Sequence, residues 1–187
     1  MKNIAIFASG SGTNYEAIME KIKDGYINNA KVVLMATDHA DAYVCERAKK
    51  YNTPIFVINY KGRKKEEYEA ELVSKLNELK VDLVVLAGYM RLCGSVLLDS
   101  YEGRIINIHP ALLPSFKGAH GIQDAFDYGV KVFGVTVHYV DSGMDSGKII
   151  DQEAFHYTDG ETVDEVEARI HEIEHELYPR VIKKLTD

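Results

Sequence analysis

Seven residues near the middle of the chain, Val81–Ala87, read VDLVVLA and are almost continuously apolar. Strands with one face in water alternate between apolar and polar residues, whereas a strand covered on both faces is apolar nearly throughout. This run therefore predicts a central strand of a sheet that carries helices on both sides. That requirement restricts the chain to the layered α/β folds.

Strand-like and helix-like segments alternate through the first 110 residues. The helical segment Arg63–Lys80 shows the spacing best, because Tyr68, Leu72 and Leu76 recur on one side of it. Further helices are predicted over 13–25, 41–50 and within the loop 88–100. The other predicted strands are Asn3–Ala8, Lys31–Ala36, Ile55–Ile58 and Arg104–His109. This alternation favours a parallel, doubly wound sheet.

The second half of the chain changes this rhythm. Val135–Val140 and Lys148–Phe155 are strand-like and are joined by only seven residues, too few for a parallel crossover, so they predict an antiparallel hairpin. A helix is predicted over 121–128 and a long one over Glu161–Leu185, which Thr162 and Glu165 begin as a capping box. No linker interrupts the pattern. We therefore expect one α/β domain over residues 1–187, with a C-terminal hairpin and a long C-terminal helix.

Composition excludes several classes of function. A net charge of −7 argues against a nucleic-acid-binding surface, and the longest apolar stretch, around Leu83–Met90, is too short to span a membrane. The chain starts on a strand-like run, so no signal peptide is expected. Cys45 and Cys93 lack metal-binding spacing and suit a reducing cytosol. We expect a cytoplasmic protein that acts on small molecules, with no metal, nucleic acid or membrane as partner.

The stretch Arg104–Pro114, RIINIHPALLP, combines an apolar strand with two polar side chains. Asn107 and His109 are two residues apart, so they point to the same face of the strand. Proline then ends the strand, and ligands of open α/β sheets bind at the carboxyl ends of the strands. A binding or catalytic pair and an internally satisfied polar pair are equally compatible with this pattern.

Two glycine-rich loops add candidate groups. SGSGTN, residues 9–14, follows the first strand and opens a helix, which favours binding of a phosphate or similar anion over an ordinary turn capped by Thr13 or Asn14. Tyr15 occupies the position of the third glycine of a dinucleotide fingerprint, which argues against NAD. In the hairpin loop, Asp145 can meet His109 if the loop folds over the carboxyl ends of the strands. His120 could join them.

Three further patterns are interpreted as structural. His171–His175 reads HEIEH, formally a zinc-protease motif, but no third ligand follows at a plausible distance. The cluster Arg63–Lys65 is interpreted as a solvated helix start. His138, inside the strand VTVHYV, is interpreted as a structural residue.

Four segments taken together carry a family resemblance: ASGSGTN, LAGYMRL, INIHPALLPSFKGAH and GVTVHYVDSGMDSGKII. From end to end the chain resembles the phosphoribosylglycinamide formyltransferase family, folate-dependent enzymes of purine synthesis. The resemblance implies a Rossmann-like formyltransferase fold. It also implies transfer of a formyl group from 10-formyltetrahydrofolate, as co-substrate, to the amine of glycinamide ribonucleotide. It further implies a ribotide-binding half, 1–100, and a catalytic, folate-binding half, 101–187.

The resemblance also assigns roles to single residues. Asn107 and His109 would bind the oxyanion, Asp145 would keep His109 protonated, and His120 would support them. The ribotide would bind to Gly12, Thr13, Asn14 and Glu174. Folate would bind to Lys65, Met90, Arg91, Leu92, Cys93, Asn107 and Asp141. The family commonly has Pro where Lys117 stands and Arg where Lys65 stands.

Other functions remain as alternatives. Formyltetrahydrofolate deformylase would use the same Asn, His and Asp with water as nucleophile, but is expected to carry an extra N-terminal domain before the first strand. Methionyl-tRNA formyltransferase would need a C-terminal domain and a basic surface. A non-catalytic nucleotide-binding module is disfavoured by the presence of Asn107, His109 and Asp145 together. The protein is expected to be a monomer or weak homodimer.

Overall fold

A computed structural model of the chain describes residues 1–187 and contains seven strands and six helices. The strands are β1 (Lys2–Phe7), β2 (Ala30–Thr37), β3 (Ile55–Val57), β4 (Leu83–Leu86), β5 (Ile105–His109), β6 (Val132–Tyr139) and β7 (Ile149–His156). The helices are α1 (Thr13–Lys23), α2 (Val44–Lys50), α3 (Lys65–Glu78), α4 (Ser95–Ser100), α5 (Gly121–Tyr128) and α6 (Val163–Thr186). Every predicted element is present, and the differences are confined to the ends, where hydrogen-bonded structure gives way to turns.

All seven strands form one sheet in the order β3-β2-β1-β4-β5-β6-β7. Strands β1 to β5 pair in parallel, whereas β6 is antiparallel to both β5 and β7. The predicted parallel sheet and C-terminal hairpin are therefore confirmed. Strand β4 lies near the centre of the sheet, as its continuous apolar run predicts.

Two apolar clusters cover the two faces of the sheet. Helices α1, α2, α5 and α6 pack on one face, in a cluster that includes Ile106 and Ile108 of β5. Helices α3 and α4 pack on the other face, in a cluster that ends at Ile105. Because side chains alternate along a strand, Asn107 and His109 lie on this second face, beyond the area that α3 and α4 cover.

Helix α6 joins the two halves of the chain. Its cap is confirmed, since the Thr162 side chain accepts a hydrogen bond from the Glu165 N–H. Its buried Tyr178 hydroxyl lies 2.6 Å from the Leu86 carbonyl oxygen and 3.3 Å from that of Ile106. Helix α6 is thereby anchored to the two strands that precede the candidate site. None of the helices has both the length and the apolar composition needed to cross a bilayer.

Candidate active site

His109 lies at the end of β5 with only 4% of its surface exposed. Its Nε2 atom is 2.8 Å from the Phe116 carbonyl oxygen, and since a carbonyl only accepts, Nε2 carries a proton. Its Nδ1 atom faces the carboxylate of Asp145, 3.6 Å from Oδ2. Oxygen acceptors therefore face both ring nitrogens, an arrangement that suits a protonated imidazole.

Asp145 lies between two histidines. Its Oδ2 atom accepts a hydrogen bond from the Gly118 N–H at 2.8 Å, and its Oδ1 atom is 3.9 Å from Nε2 of His138. The residue has a left-handed backbone with φ of 50°, which turns the carboxylate inward from an exposed loop. The structure thus brings together Asp145 and His109, which are 36 positions apart in the chain.

The loop 141–147 does not follow the path over the carboxyl ends of the strands that the sequence suggested. Because β6 is antiparallel to β5, the chain leaves β6 beside the amino end of β5, where the Val140 N–H bonds to the Ile105 carbonyl at 2.9 Å. The loop 141–147 therefore reaches His109 across the face of the sheet rather than over the carboxyl ends of the strands. The candidate site therefore lies on the face of the sheet as well as at its edge.

His138 belongs to this site, so its interpretation as a structural residue was incomplete. It pairs directly with Asn107 in the β5–β6 register, so the two side chains lie side by side on one face. Its Nδ1 donates to the carbonyl of Tyr139, whereas its buried Nε2 has no hydrogen-bond partner and points toward Asp145. The period of two residues places His138 on one face of β6, but only the register shows which residue lies opposite.

His120 and Lys117 lie on the loop that follows β5. His120 is exposed at the start of α5, and no hydrogen bond or ion pair joins its ring to His109 or Asp145. Lys117 is exposed between Phe116, whose φ is 55°, and Gly118. This loop contacts the pair through backbone groups, since the Phe116 carbonyl accepts from His109 and the Gly118 N–H donates to Asp145.

The loop SGSGTN forms a tight β1-to-α1 turn. Gly12 is the N-cap of α1 with φ of 79°, and no side chain caps the helix. A Cβ atom at this position would lie 2.4 Å from Cγ2 of Val44, so both the conformation and the space require glycine. The first turn of α1 thus has no side-chain cap, and free amides at a helix N-terminus suit an anion, so phosphate binding here stays a prediction.

Helix α6 brings Glu174 to this turn. The Oε2 atom of Glu174 is 3.4 Å from Nδ2 of Asn14, and its Oε1 accepts a hydrogen bond from Nδ1 of His171 at 2.7 Å. That hydrogen bond raises the pKa of His171, while burial lowers the pKa of His175. The HEIEH segment therefore contributes a carboxylate beside the loop SGSGTN. No three His, Cys, Asp or Glu side chains of the chain converge as metal ligands.

The segment between β4 and α4 exposes two apolar side chains, whereas its charged side chain, Arg91, packs against the protein. Met90 is 77% exposed and Leu92 is also exposed. Arg91, in contrast, stacks on Tyr60 and places Nε 3.1 Å from the buried carboxylate of Asp38. Burial opposes ionisation of Asp38, but hydrogen bonds from Ser9 and His39 hold its pKa below its usual range. The Arg91 side chain is thus engaged inside the protein, a contact that sequence patterns did not reveal.

Ser9 joins this segment to the loop SGSGTN. Its hydroxyl oxygen accepts a hydrogen bond from the Met90 N–H at 2.9 Å, and its own N–H donates to the Gly88 carbonyl at 3.0 Å. The turn that follows β1 and the turn that follows β4 are therefore bonded directly to each other. Neighbouring parallel strands make this possible, because their carboxyl ends meet at one edge of the sheet.

The remaining candidate residues shape the backbone around the site. Lys65 directs its ammonium group to the carbonyl of Leu92 at 3.0 Å. Burial raises the pKa of the Cys93 thiol to about 12, so the thiol stays protonated and unreactive at neutral pH. Asp141 accepts hydrogen bonds from the Gly143 N–H and the Ser146 hydroxyl, and the latter lowers its pKa. Asp141 thereby fixes the loop that carries Asp145.

Comparison with known proteins identifies relatives over nearly the whole chain. The family model described as formyl transferase matches residues 2–182. A phosphoribosylglycinamide formyltransferase from Bacillus subtilis (strain 168) is 46% identical over 186 residues, which are 99% of this chain and 95% of that protein.

Solved structures agree with this match. Glycinamide ribonucleotide transformylase 1 from Geobacillus kaustophilus superposes with a TM-score of 0.97 at 47% identity, over 100% of both chains. Phosphoribosylglycinamide formyltransferase from Bacillus halodurans superposes with a TM-score of 0.94 at 50% identity, over 98% of this chain and 95% of that one.

Proposed function

The chain belongs to the formyl transferase family, and we propose that it transfers the formyl group of 10-formyltetrahydrofolate to the amine of phosphoribosylglycinamide in purine biosynthesis. The products are the formylated ribotide and tetrahydrofolate. The observation that carries the proposal is the convergence of Asn107, His109 and Asp145 on one sheet face. That face lies beside an uncapped helix N-terminus that suits a phosphate.

The chemistry follows from the placement of donors around the reacting carbon. The amine lone pair attacks the formyl carbon, and the carbonyl electrons move to oxygen to give a tetrahedral oxyanion. Asn107, half-buried on the face of β5, donates to this oxygen through its side-chain amide. His109 stabilises it through Nδ1, because Nε2 is already bonded to the Phe116 carbonyl. Donors aimed at developing charge are usually the largest contribution to catalysis.

Collapse of the intermediate requires one proton to move. The C–N bond to the folate nitrogen breaks, that nitrogen takes a proton, and the attacking amine loses one. We expect Asp145 to carry this proton, because a carboxylate can accept a proton and release it. The Gly118 N–H, which bonds to one oxygen, and His138, which faces the other, hold the carboxylate in place. The ring of His109 keeps its orientation throughout, because the Phe116 carbonyl accepts from its Nε2 and the Asp145 carboxylate lies beside its Nδ1.

The substrates bind on either side of this centre. The ribotide phosphate lies on the backbone of Gly12, Thr13 and Asn14, and the Glu174 carboxylate accepts hydrogen bonds from the ribose hydroxyls. The folate donor lies against the Met90–Cys93 segment and the 141–145 loop. There it meets exposed apolar side chains and backbone polar groups, the combination typical of a cofactor pocket.

An absorbance assay of folate product tests this proposal. Wild-type protein is given 10-formyltetrahydrofolate with and without the ribotide, and His109→Ala is measured in parallel. Product that forms only with the ribotide and falls by about 10²–10³-fold in the variant supports the transferase. Equal product without the ribotide contradicts it and indicates a deformylase, and binding of both ligands without turnover indicates a binding module.

We also propose a cytoplasmic location and a monomer or weak homodimer. Cys45 and Cys93 are free thiols, which suits a reducing compartment. All candidate groups of the site come from one copy of the chain, so we expect the monomer to be active. Sedimentation velocity over a range of protein concentrations measures the oligomeric state, and a dimer that persists at nanomolar concentration contradicts the proposal.

A further inference from the structure

Helix α3 directs two charged side chains at one short backbone segment. Lys65 and Glu69 are one helical turn apart, so they lie on the same side of α3. Both contact the segment Met90–Gly94, between β4 and α4. Glu69 is only 3% exposed, although an ionised carboxylate is costly to bury without hydrogen bonds.

The partners of Glu69 are backbone amides at the start of α4. Its Oε2 atom accepts from the Gly94 N–H at 2.7 Å, and its Oε1 accepts from the Leu97 N–H at 3.3 Å. Gly94 is the N-cap of α4 and supplies no side-chain cap, so the carboxylate of another helix performs that function. Negative charge at a helix N-terminus is also favourable electrostatically.

Lys65 holds the same segment from its other side. Its ammonium group lies 3.0 Å from the carbonyl of Leu92, two residues before Gly94. The fit is close, because a Cβ atom at Gly94 would lie 2.7 Å from both Oε1 of Glu69 and Cδ of Lys65. One donor and one acceptor of α3 therefore determine where the backbone of residues 92–94 lies.

We propose that Glu69, assisted by Lys65, is a positioning residue for the folate donor. By fixing the segment Met90–Gly94, it holds the exposed side chains of Met90 and Leu92 and the nearby backbone groups in the arrangement that binds the donor. The inference rests on the proposed function, because that function places the donor on this segment. Glu69 touches neither substrate and has no part in the chemical step.

A second contact between α3 and α4 supplies a matched control. At the other end of α4, the Tyr101 hydroxyl donates to Oδ1 of Asn77 at 3.1 Å. Asn77→Ala removes a hydrogen bond between the same two helices without touching the segment Met90–Gly94. A general loosening of α3 against α4 would therefore affect Asn77→Ala and Glu69→Ala alike.

Steady-state kinetics separate positioning from general stability. We expect Glu69→Ala to raise the KM for 10-formyltetrahydrofolate about tenfold, since it leaves two amides unpaired, while kcat and the ribotide KM stay within about twofold. Glu69→Gln retains an oxygen for the Gly94 N–H and recovers most of the loss. Asn77→Ala leaves all three constants unchanged. An unchanged donor KM in Glu69→Ala, or an equal rise in Asn77→Ala, overturns the inference.

Two further measurements cover the other outcomes. Hydrogen exchange of the peptide that contains Gly94 and Leu97 becomes faster in Glu69→Ala and stays at the wild-type rate in Asn77→Ala. If Glu69→Ala does not fold, Lys65→Met, which changes a partly exposed side chain, carries the test with an expected rise in donor KM of about threefold.

A wild-type protein that neither binds nor uses the folate donor contradicts the proposed function, and this inference with it. Wild-type activity with unaltered donor KM in both variants contradicts this inference alone.

Discussion

The ring of His109 and the carboxylate of Asp145 face each other at 3.6 Å, although Asp145 comes from a loop that starts at the opposite end of β5. The pair is isolated from bulk water, since His109 is buried and Asp145 is mostly so. Charges interact more strongly in such surroundings than in water.

Asp145→Asn tests that pair. We expect kcat to fall by about 10²–10⁴-fold, because the amide removes the negative charge and the proton acceptor that the reaction needs. The fold is retained, since the amide oxygen still accepts from the Gly118 N–H. Single-turnover rates and thermal unfolding measure the two effects. Asp151→Asn, on the outer strand β7, is the matched control, and equal losses in both variants would contradict a catalytic role.

His138→Phe tests a residue that only the register revealed. A planar aromatic ring is kept, slightly larger than imidazole, but the Nε2 atom that faces Asp145 is lost, so we expect kcat to fall by about tenfold with both KM values unchanged. The unfolding free energy decreases by only about 1 kcal/mol, because one hydrogen bond, to the Tyr139 carbonyl, is removed. Wild-type kcat in a folded variant would show that His138 has no part in the reaction.

Gly12→Ala tests the phosphate loop. The new methyl group would overlap Val44 in a left-handed backbone, so we expect a loss of about 2–4 kcal/mol in unfolding free energy and a raised ribotide KM. Gly10→Ala is the matched control in the same loop, because a Cβ atom there meets nothing within 4 Å. Urea denaturation and ribotide titrations should separate the two variants, and similar behaviour would refute the packing argument.

We expect His171 and His175 to make opposite contributions to the pH dependence of the unfolding free energy. The hydrogen bond to Glu174 raises the pKa of His171 above 6.5, so its stabilisation is complete below that pH and is lost as pH rises through the folded-state pKa. His171→Gln should therefore destabilise the protein more at about pH 6 than at about pH 8.

Burial lowers the pKa of His175 in the folded protein. As pH falls below 6.5, the unfolded chain therefore binds a proton more readily than the folded protein does, and the free energy of unfolding decreases. His175→Gln removes this cost, and its stability relative to wild type should improve toward acidic pH. Urea midpoints at the two pH values measure both variants, and the same sign of pH dependence in both would contradict the assignment of charges around Glu174.

Tyr178→Phe tests the anchor of α6. The hydroxyl bonds to the carbonyls of Leu86 and Ile106 in a fully buried position, so its loss should lower the unfolding free energy by about 1–3 kcal/mol. Tyr128→Phe, at an 81% exposed side chain, should change it by less than about 0.5 kcal/mol. Chemical denaturation provides the comparison, and a neutral Tyr178→Phe would show that the two carbonyls need no partner.

The sequence predicts the layers of this fold because local pattern and global topology agree. The apolar run of β4 allows only a strand that is covered on both faces, and the nine residues between β6 and β7 (140–148) are too few for a parallel crossover. The placement of Asn107 and His109 on one face follows equally from the period of a strand.

What could not be predicted depends on contacts between distant segments. The neighbour of Asn107 is His138 because of the β5–β6 register, which no local pattern encodes. The Arg91 side chain turns to Asp38 instead of the solvent because Asp38 is buried 53 positions earlier in the chain. The cap of α4 comes from Glu69 on another helix, whereas cap patterns in sequence consider only adjacent residues.

The bond from the Met90 N–H to the Ser9 hydroxyl has a consequence for the reaction of two molecules. Bringing two substrates together costs translational and rotational entropy, and an enzyme offsets that cost only if its two sites keep a constant separation. In this protein, two hydrogen bonds of Ser9, one through its hydroxyl and one through its N–H, join the two turns and keep their separation constant. If the ribotide binds at one turn and the folate donor at the other, as proposed, these bonds set the distance between the two substrates, and substrate binding does not have to establish it.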